Sequence, residues 1–312
     1  MALFKSATYM INRRHIESCL ENVDIATTIL GLARYSNDYS RSAGPSMMFA
    51  KDTTDHPESN NMTLNAAGNA DVSMNDEFNL GFAARRLMLN DEEEFLCVIP
   101  LPHIFGFCRH VRKIIFGAKH TVVLVRKDND NDAVWGPNAV DAGIVRLTKL
   151  SLWMPVITPS MSEEQRLLSF MDQGGKSTLS WLTMTTDSIT SEVVDLFTWR
   201  ITSEQGASAP RHIFIPFQEI ARDNTQTRNP MVYDTLGVSE VSLRINGHQE
   251  PSEEVLLSFD HNHVARAYHR LMTFMGRDQN VDSGLQISQR DFTTLYPLLF
   301  VGTFRFIQTI CR

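Results

Sequence analysis

The sequence has few cysteines, and their arrangement excludes the usual metal and disulfide frameworks. Its 312 residues contain four cysteines, which are Cys19, Cys97, Cys108 and Cys311. None lies in a CxxC pair and no zinc-finger spacing of cysteines and histidines occurs, so a zinc site is not predicted. A long chain with so few cysteines also does not predict a disulfide-stapled secreted domain. We expect buried or incidental thiols in a reducing compartment.

The chain also lacks a surplus of positive charge and a long apolar run. Its formal net charge is −7 and its pI is near 5.8, whereas a general nucleic-acid binder usually carries a basic surplus. No apolar run reaches the roughly 20 residues that a bilayer-spanning helix needs. The first residues, MALFKSATYMINRRHIE, show no secretion signal. We expect a protein of the cytoplasm or nucleus, without membrane insertion or direct sequence-specific nucleic-acid binding.

What the sequence does contain is many short apolar segments between polar turns, which favours an all-β fold. The clearest strand prediction covers 113–127, KIIFGAKHTVVLVRK, and residues 144–157, IVRLTKLSLWMPVI, fit a strand with one break in the alternation. Other predicted strands are FNLGFAARRLML, EFLCVIPL, LFTWRIT, RHIFIPF, VSLRI and VLLSF, and FTTLYPLLFVG is a final apolar run. Residues 24–36 fit either a strand or a short helix. The absence of a strand–helix–strand rhythm disfavours a doubly wound nucleotide fold.

Two segments carry helix signals. In SMSEEQRLLSF, Ser160 or Ser162 is a suitable N-cap, followed by acidic residues. In SFDHNHVARAYHRL, residues 258–271, we expect Asp260 or Asn262 to cap a helix. The apolar face of this second helix consists of Val264, Tyr268, Leu271 and Met275, which share helical spacing.

Two polar stretches interrupt the apolar segments. Residues 41–77 are rich in Ser, Asn, Asp, Gly and Pro, and a loop of this length predicts an exposed excursion or disorder. Residues 128–143, DNDNDAVWGPNAVDAG, suit a boundary between two domains.

Three motifs imitate a chemical site, and each lacks a required part. His261 and His263 could share a strand face, but no third metal ligand accompanies them. The trio Asp128, Asp130 and Asp132 resembles the start of a calcium loop. Ala133 and Ala139 stand where that loop needs Gly and Glu.

The third motif is GGKST, residues 174–178, which resembles the end of a phosphate-binding loop. The first Gly of that loop would fall at Phe170, and a helix precedes the segment where a strand is required. No GxSxG motif occurs either. We therefore predict no catalytic, cofactor-binding or metal-ligating residue, no cofactor, and no enzymatic activity.

The order of four stretches resembles a known family. They are FLCVIPLPHIFGFCRHVRKIIFGAKHTVVLVRKDNDNDAVW (95–135), VRLTKLSLWMPVITPS (145–160), the strands and turn FTWRIT, PRHIFIPFQ and NPMVYD (197–234), and VSLRINGHQEPSEEVLLSFDHNHVARAYHRLMTFMG (241–276). Together they resemble the major capsid protein of Polinton (Maverick) elements and the double jelly roll-like domain proteins of invertebrate genomes. The resemblance is good over 78–300 and weaker over 10–40.

The resemblance implies a fold of two tandem jelly-roll sandwiches with short helices in their connections. The first would span 1–143, with its N-terminal strands missing and a long loop at 41–77. The second would span 144–312, with its C-terminal strands missing, because the predicted strands number fewer than the sixteen of two complete rolls. A decayed or incomplete gene copy is one reading of the termini.

The function that the resemblance implies is structural. The chain would be a capsid-type subunit of a virus-like transposon, or a host-resident relic of one, located in a virion-like particle or in the host cytoplasm or nucleus. Its partners would be copies of itself, as a pseudo-hexagonal trimer, together with other capsid proteins. The alternatives are a jelly-roll module that binds a carbohydrate or protein, with Trp135 and Trp181 as candidate contacts, and a cupin-type metal enzyme using His261 and His263.

Overall fold

A computed structural model describes most of the chain. The described residues are 1–55, 79–115, 117–135, 143–175, 178–191, 196–200, 210–245, 248–250, 256–276 and 286–302. The strands are β1 Phe4–Ile11, β2 Arg14–Glu21, β3 His120–Arg126, β4 His212–Ile215, β5 Leu243–Ile245, β6 His248–Glu250 and β7 Leu299–Gly302. The α-helices are α1 Val23–Arg34, α2 Asn37–Ser42, α3 Leu80–Arg86, α4 Leu101–Ile104, α5 Gly106–His110, α6 Met161–Asp172, α7 Ala265–Phe274 and α8 Gln289–Thr294.

The largest sheet has three antiparallel strands in the order β2-β1-β3. Asn12 and Arg13, which link β1 to β2, both have positive φ, at 49° and 65°, as a two-residue type I′ hairpin turn requires. The Asn12 side chain accepts a hydrogen bond from the backbone N–H of Lys119 at 2.8 Å, and this contact joins the hairpin to the start of β3. The two other sheets, β4-β7 and β5-β6, have two strands each.

In the part of the chain that the structure describes, the apolar core consists of two clusters, and helix α1 contributes to both. The first, which we call the hairpin core, lies against the three-stranded sheet and contains Phe4, Ala7, Tyr9, Val23, Ala26, Ile104, Phe105 and Phe107. The second, the helical core, surrounds α7, α8 and β7 and contains Ile29, Leu32, Val232, Tyr233, Leu257, Val264, Ala267, Leu271, Ile287, Phe292, Leu295, Tyr296, Leu298, Leu299 and Phe300. Residues 24–36 are therefore mainly helical, because α1 buries apolar side chains along its whole length.

Several predicted elements are confirmed. β3 occupies the second half of the strand predicted at 113–127, and β4 and β5 lie within RHIFIPF and VSLRI. Helix α6 begins after Ser160, whose side chain accepts a hydrogen bond from the backbone N–H of Glu163. Helix α7 buries Val264 and Leu271 as its apolar face predicted.

Other predictions are wrong. FNLGFAARRLML was expected as a strand, but helix α3 forms there because the Asn79 side chain caps it at the N–H of Phe82 and helix-favouring Leu, Ala and Arg follow. EFLCVIPL contains no strand, and α4 begins at its last residue. FTTLYPLLFVG, expected only as an apolar run, is indeed apolar and largely buried, and it combines the end of α8 with β7. VLLSF has only isolated bridges in its described residues 256–259, and LFTWRIT forms no strand over 196–200.

The expected caps of α7 and the expected loop at 41–77 also need correction. Neither Asp260 nor Asn262 caps α7, because the helix begins after Val264, without a side-chain cap. Residues 41 and 42 end α2, a 3-10 helix covers Gly44–Met47, and Asp52 is only 4% exposed. The exposed excursion or disorder predicted for 41–77 is therefore wrong for this first part, and the remainder of that segment, 56–77, lies outside the described residues.

Residues 143–160 contain no strand or helix. The strand predicted at 144–157 therefore pairs with no strand in the part of the chain that the structure describes. Because α1, α6 and α7 are helices of 10 to 12 residues, the described residues do not confirm an all-β chain. The division at 143 stays a prediction.

Candidate functional site

The two histidines of the possible metal motif, His261 and His263, lie at the surface. His261 and His263 are exposed, and their ring centroids are 6.4 Å apart. They belong to a tight turn in which the backbone N–H of His263 donates to the Ser258 carbonyl at 2.8 Å. Among the described residues, no group of three or more His, Cys, Asp and Glu side chains is placed to hold a metal ion.

The aspartates of the calcium-like motif take separate partners. Asp130 forms an ion pair with Arg126 at 2.7 Å, and its carboxylate also accepts the backbone N–H of Val145. Asp132 pairs with Lys127 at 2.6 Å, and Lys127 also pairs with the buried Asp24 at 2.6 Å. These contacts fasten the end of β3 to α1. In the GGKST motif, residues 176 and 177 lie outside the described residues.

The most buried ion-pair network centres on Arg222, which the sequence reading did not single out. Its side chain is 6% exposed and lies between two carboxylates, with Asp55 at 2.6 Å and Asp234 at 2.7 Å. Burial is the largest single contribution and raises the pKa of Asp234. The hydrogen bonds and ion pair of Asp234 together outweigh it, so the pKa is lowered. Arg222 and Asp55 are 167 positions apart in the sequence, and no local sequence pattern predicts a contact over that separation.

A second buried network surrounds Asp52. Its carboxylate accepts hydrogen bonds from Arg85 at 2.7 Å and from the Asn229 side chain at 2.8 Å, and its backbone carbonyl accepts the Tyr296 hydroxyl at 3.1 Å. The neighbouring Lys51 pairs with Asp291 in helix α8 at 2.7 Å. Both networks connect the segment 51–55 to distant parts of the chain, so their charged groups hold the fold.

Polar groups next to the hairpin core are also engaged. The two carboxylate oxygens of Glu17 accept the backbone N–H groups of Gly106 and Phe107, each at 2.9 Å, at the start of α5. Burial raises the pKa of Glu17 and lowers the pKa of His103 to about 4. His103 Nδ1 shares a hydrogen bond with the Tyr35 hydroxyl at 2.9 Å.

The described thiols Cys97 and Cys108 and the two candidate tryptophans Trp135 and Trp181 are all partly buried. Cys97 and Cys108 are free and partly buried, and burial raises the pKa of Cys108 to about 11, which disfavours the reactive thiolate. Trp135 packs edge-on against Phe82 and Trp181 against Phe107, with ring centroids 5.3 and 5.2 Å apart.

The distinctive surface of the molecule is apolar and lies at residues 144–161, which we call the apolar segment. Its most exposed apolar side chains are Ile144 (77%), Leu150 (69%), Trp153 (88%), Val156 (89%) and Met161 (78%). Helix α6 continues this character with Phe170 and Met171, both about half exposed. Several large apolar side chains so close together in sequence are typical of a surface that another protein covers.

None of the helices in the described residues is long and apolar enough to cross a membrane.

The comparisons with known proteins identify the family. No curated protein and no solved structure matches the chain. The family model of the double jelly roll-like domain matches residues 56–303, most of the chain, and a jelly-roll fold fits this family. The chain belongs to the double jelly roll-like domain family.

Proposed function

We propose that the chain is a structural capsid-type subunit of the Polinton (Maverick) kind, encoded by a virus-like transposon or persisting as a host-resident relic of one. It assembles with copies of itself, as trimers that contact other capsid proteins in a virion-like particle. It catalyses no reaction and needs no cofactor. Membership of the double jelly roll-like family is compatible with capsid-type proteins.

The observation that carries this proposal is the exposure of the apolar segment. Fully burying a large aliphatic or aromatic side chain contributes about 1.5 to 3 kcal/mol. Trp153 and Val156 are each almost fully exposed, so most of this free energy is still available for association. In a closed symmetric assembly the same surface recurs on every copy, and its burial is multiplied. A second copy of the chain is therefore the occupant that we propose.

The absence of catalysis is supported by the roles of the buried charges. Arg222 forms ion pairs with Asp55 and Asp234, and Lys127 forms ion pairs with Asp24 and Asp132. A catalytic acid or base has to face a cavity in which its proton can reach a substrate. These groups instead form ion pairs and hydrogen bonds with one another across the fold, and such contacts stabilise a structural subunit.

The test is the assembly state of the purified full-length chain, measured by light scattering coupled to size exclusion and by electron microscopy. We expect trimers or particles for the unmodified chain and monomers for the double variant Trp153→Ser/Val156→Ser. The matched control is Leu87→Ser, which makes the same kind of change at a position 80% exposed outside the apolar segment. It should assemble normally. A monomeric unmodified chain at micromolar concentration contradicts the proposal.

A further inference from the structure

A large cavity lies between α1, residues 100–109, α7 and the sheet β4-β7. Its volume is about 1040 Å³, which reaches the upper range of small-molecule sites. The polar side chains that line it include Arg34, Arg109, Arg270, His103, His212 and Tyr35. The cavity has no residue in common with the apolar segment, so it calls for an account separate from assembly.

The lining of the cavity is positively charged. Three arginines reach it from three different helices, namely Arg34 at the end of α1, Arg109 in α5 and Arg270 in α7. No Asp or Glu occurs among the described residues that line the cavity. Guanidinium groups remain protonated at every physiological pH, so the site carries a lasting positive potential that favours an anion.

The hydrogen bonding of the Arg109 guanidinium group is incomplete. Its Nε donates to the Pro102 carbonyl at 2.8 Å, but its Nη2 is buried and makes no hydrogen bond. Burial and the nearby Arg34 lower the pKa of Arg109, while the charge of Glu17 opposes them. Glu17 directs both oxygens to backbone N–H groups. A buried guanidinium nitrogen without an acceptor is costly. Because Nη2 is covered by protein atoms, an oxyanion in the cavity satisfies it only when the Arg109 side chain turns toward the ligand.

Aromatic rings form part of the cavity wall. Tyr35 stacks on Tyr39, with ring centroids 4.2 Å apart. Phe274 contacts Phe300 and His212, each with centroids 4.7 Å apart. These rings are suited to an apolar or aromatic body attached to an anion, because such a ligand gains both stacking and charge-assisted hydrogen bonds.

From the three arginines and the aromatic rings that line the cavity, we propose that it binds a small organic phosphate with an aromatic or apolar group. The phosphate contacts Arg109 and Arg270, and the ring lies against the aromatic walls. Arginine favours phosphate because its planar fork matches two phosphate oxygens. This binding activity goes beyond the proposed assembly function and does not depend on it.

Isothermal titration calorimetry of the full-length chain tests the proposal, with phenyl phosphate, inorganic phosphate and phenol as probes. We expect phenyl phosphate to bind most tightly, because it alone combines both contacts. Weaker binding of inorganic phosphate would show the charged half acting alone. Saturable binding of phenol as tight as that of phenyl phosphate would overturn the proposal. The absence of phenyl phosphate binding up to about 10 mM would also overturn it.

Variants assign the binding to the cavity. Arg109→Gln and Arg270→Gln should each weaken phenyl phosphate binding about tenfold or more, because a charge-assisted hydrogen bond is lost. The control Arg112→Gln removes the same charge at an exposed position outside the lining and should leave affinity unchanged. Circular dichroism checks folding, and Arg270→Gln alone decides if Arg109→Gln does not fold. Equal weakening by Arg112→Gln would show nonspecific charge attraction and reject the site.

Discussion

Two regions of this molecule have similar apolar content but differ in whether their apolar side chains are buried. Every fully buried side chain in the described residues belongs to 1–55, 79–115 or 210–302, which we call the packed region. The described residues between 143 and 200, the exposed region, include no fully buried residue. Leu271 in α7 is 0% exposed, whereas Leu168 in α6 is 43% exposed.

The difference shows that apolar composition and helical periodicity do not by themselves create a core. Helices α6 and α7 are of similar length, and both carry large apolar side chains. Only α7 has α8 and β7 to pack against. Hydrophobic stabilisation follows the area removed from water, so α6 and the apolar segment gain theirs only when another surface covers them.

The largest expected effect comes from the buried charges of the packed region. Arg222→Met should destabilise the chain by about 3 to 5 kcal/mol, because Asp55 and Asp234 lose their shared cation in a buried site. Arg166→Met breaks the exposed pair with Glu163 and should change stability by less than about 0.5 kcal/mol. Urea unfolding measures both, and similar losses would break the distinction between the regions.

A smaller effect is expected from matched leucine truncations. Leu271→Ala leaves a cavity in the helical core and should cost about 3 kcal/mol. Leu168→Ala removes a half-exposed side chain from α6 and should cost less than about 0.5 kcal/mol in the unassembled chain. Thermal and urea unfolding give the two values. A loss above about 2 kcal/mol for Leu168→Ala would mean that α6 is packed in solution.

The pH dependence of stability sharpens the description of the packed region. Burial lowers the pKa of His103 from its ordinary 6.5 to about 4, so the unfolded chain takes up this proton first as the pH falls. Stability from neutral His103 is complete above pH 6.5 and is lost between pH 6.5 and 4, to a total of about 3 kcal/mol.

The measurement is the free energy of unfolding of the unmodified chain and of His103→Gln over this pH window. The variant cannot titrate at this position, so its stability should fall less steeply, and the difference between the two chains isolates His103. Parallel curves for the two chains would show that His103 is accessible to solvent.

The smallest expected effect compares two helix caps. Ser288 and Asp291 form a reciprocal capping box at α8, with the Asp291 N–H donating to the Ser288 hydroxyl oxygen at 3.1 Å. Ser288→Ala should cost about 1 kcal/mol. The Ser160 cap of α6 is longer, at 3.4 Å from the Glu163 N–H, and Ser160→Ala should cost less. Unfolding curves rank the two, and the reverse order would contradict the comparison.

Local signals allowed part of the fold to be predicted. Ser160 marked the start of α6, the β-branched run His120–Arg126 formed β3, and Val264 and Leu271 were placed on the buried face of α7. The predicted strands around α3 and α4 failed because apolar residues at short spacing do not distinguish a strand from a short helix. Asn79 was the capping signal that identifies α3.

The candidate sites show the same limit of prediction from local sequence patterns. The motifs at His261, Asp130 and Lys176 were recognisable because each is local in sequence. The Arg222 network and the arginine-lined cavity were not, because their members come from segments that are distant in the chain. Neither periodicity nor residue spacing in the sequence indicates such long-range contacts.

The sequence by itself determined where α6 begins and where β3 lies, the absence of a complete local metal or phosphate motif, and an order of segments that placed the chain in its family. Only the tertiary structure decided which apolar faces are buried, which charges neutralise one another and where three arginines surround a cavity. The physical reason is that propensity and capping act over a few neighbouring residues. Burial and ion pairing depend on the partners that folding brings together.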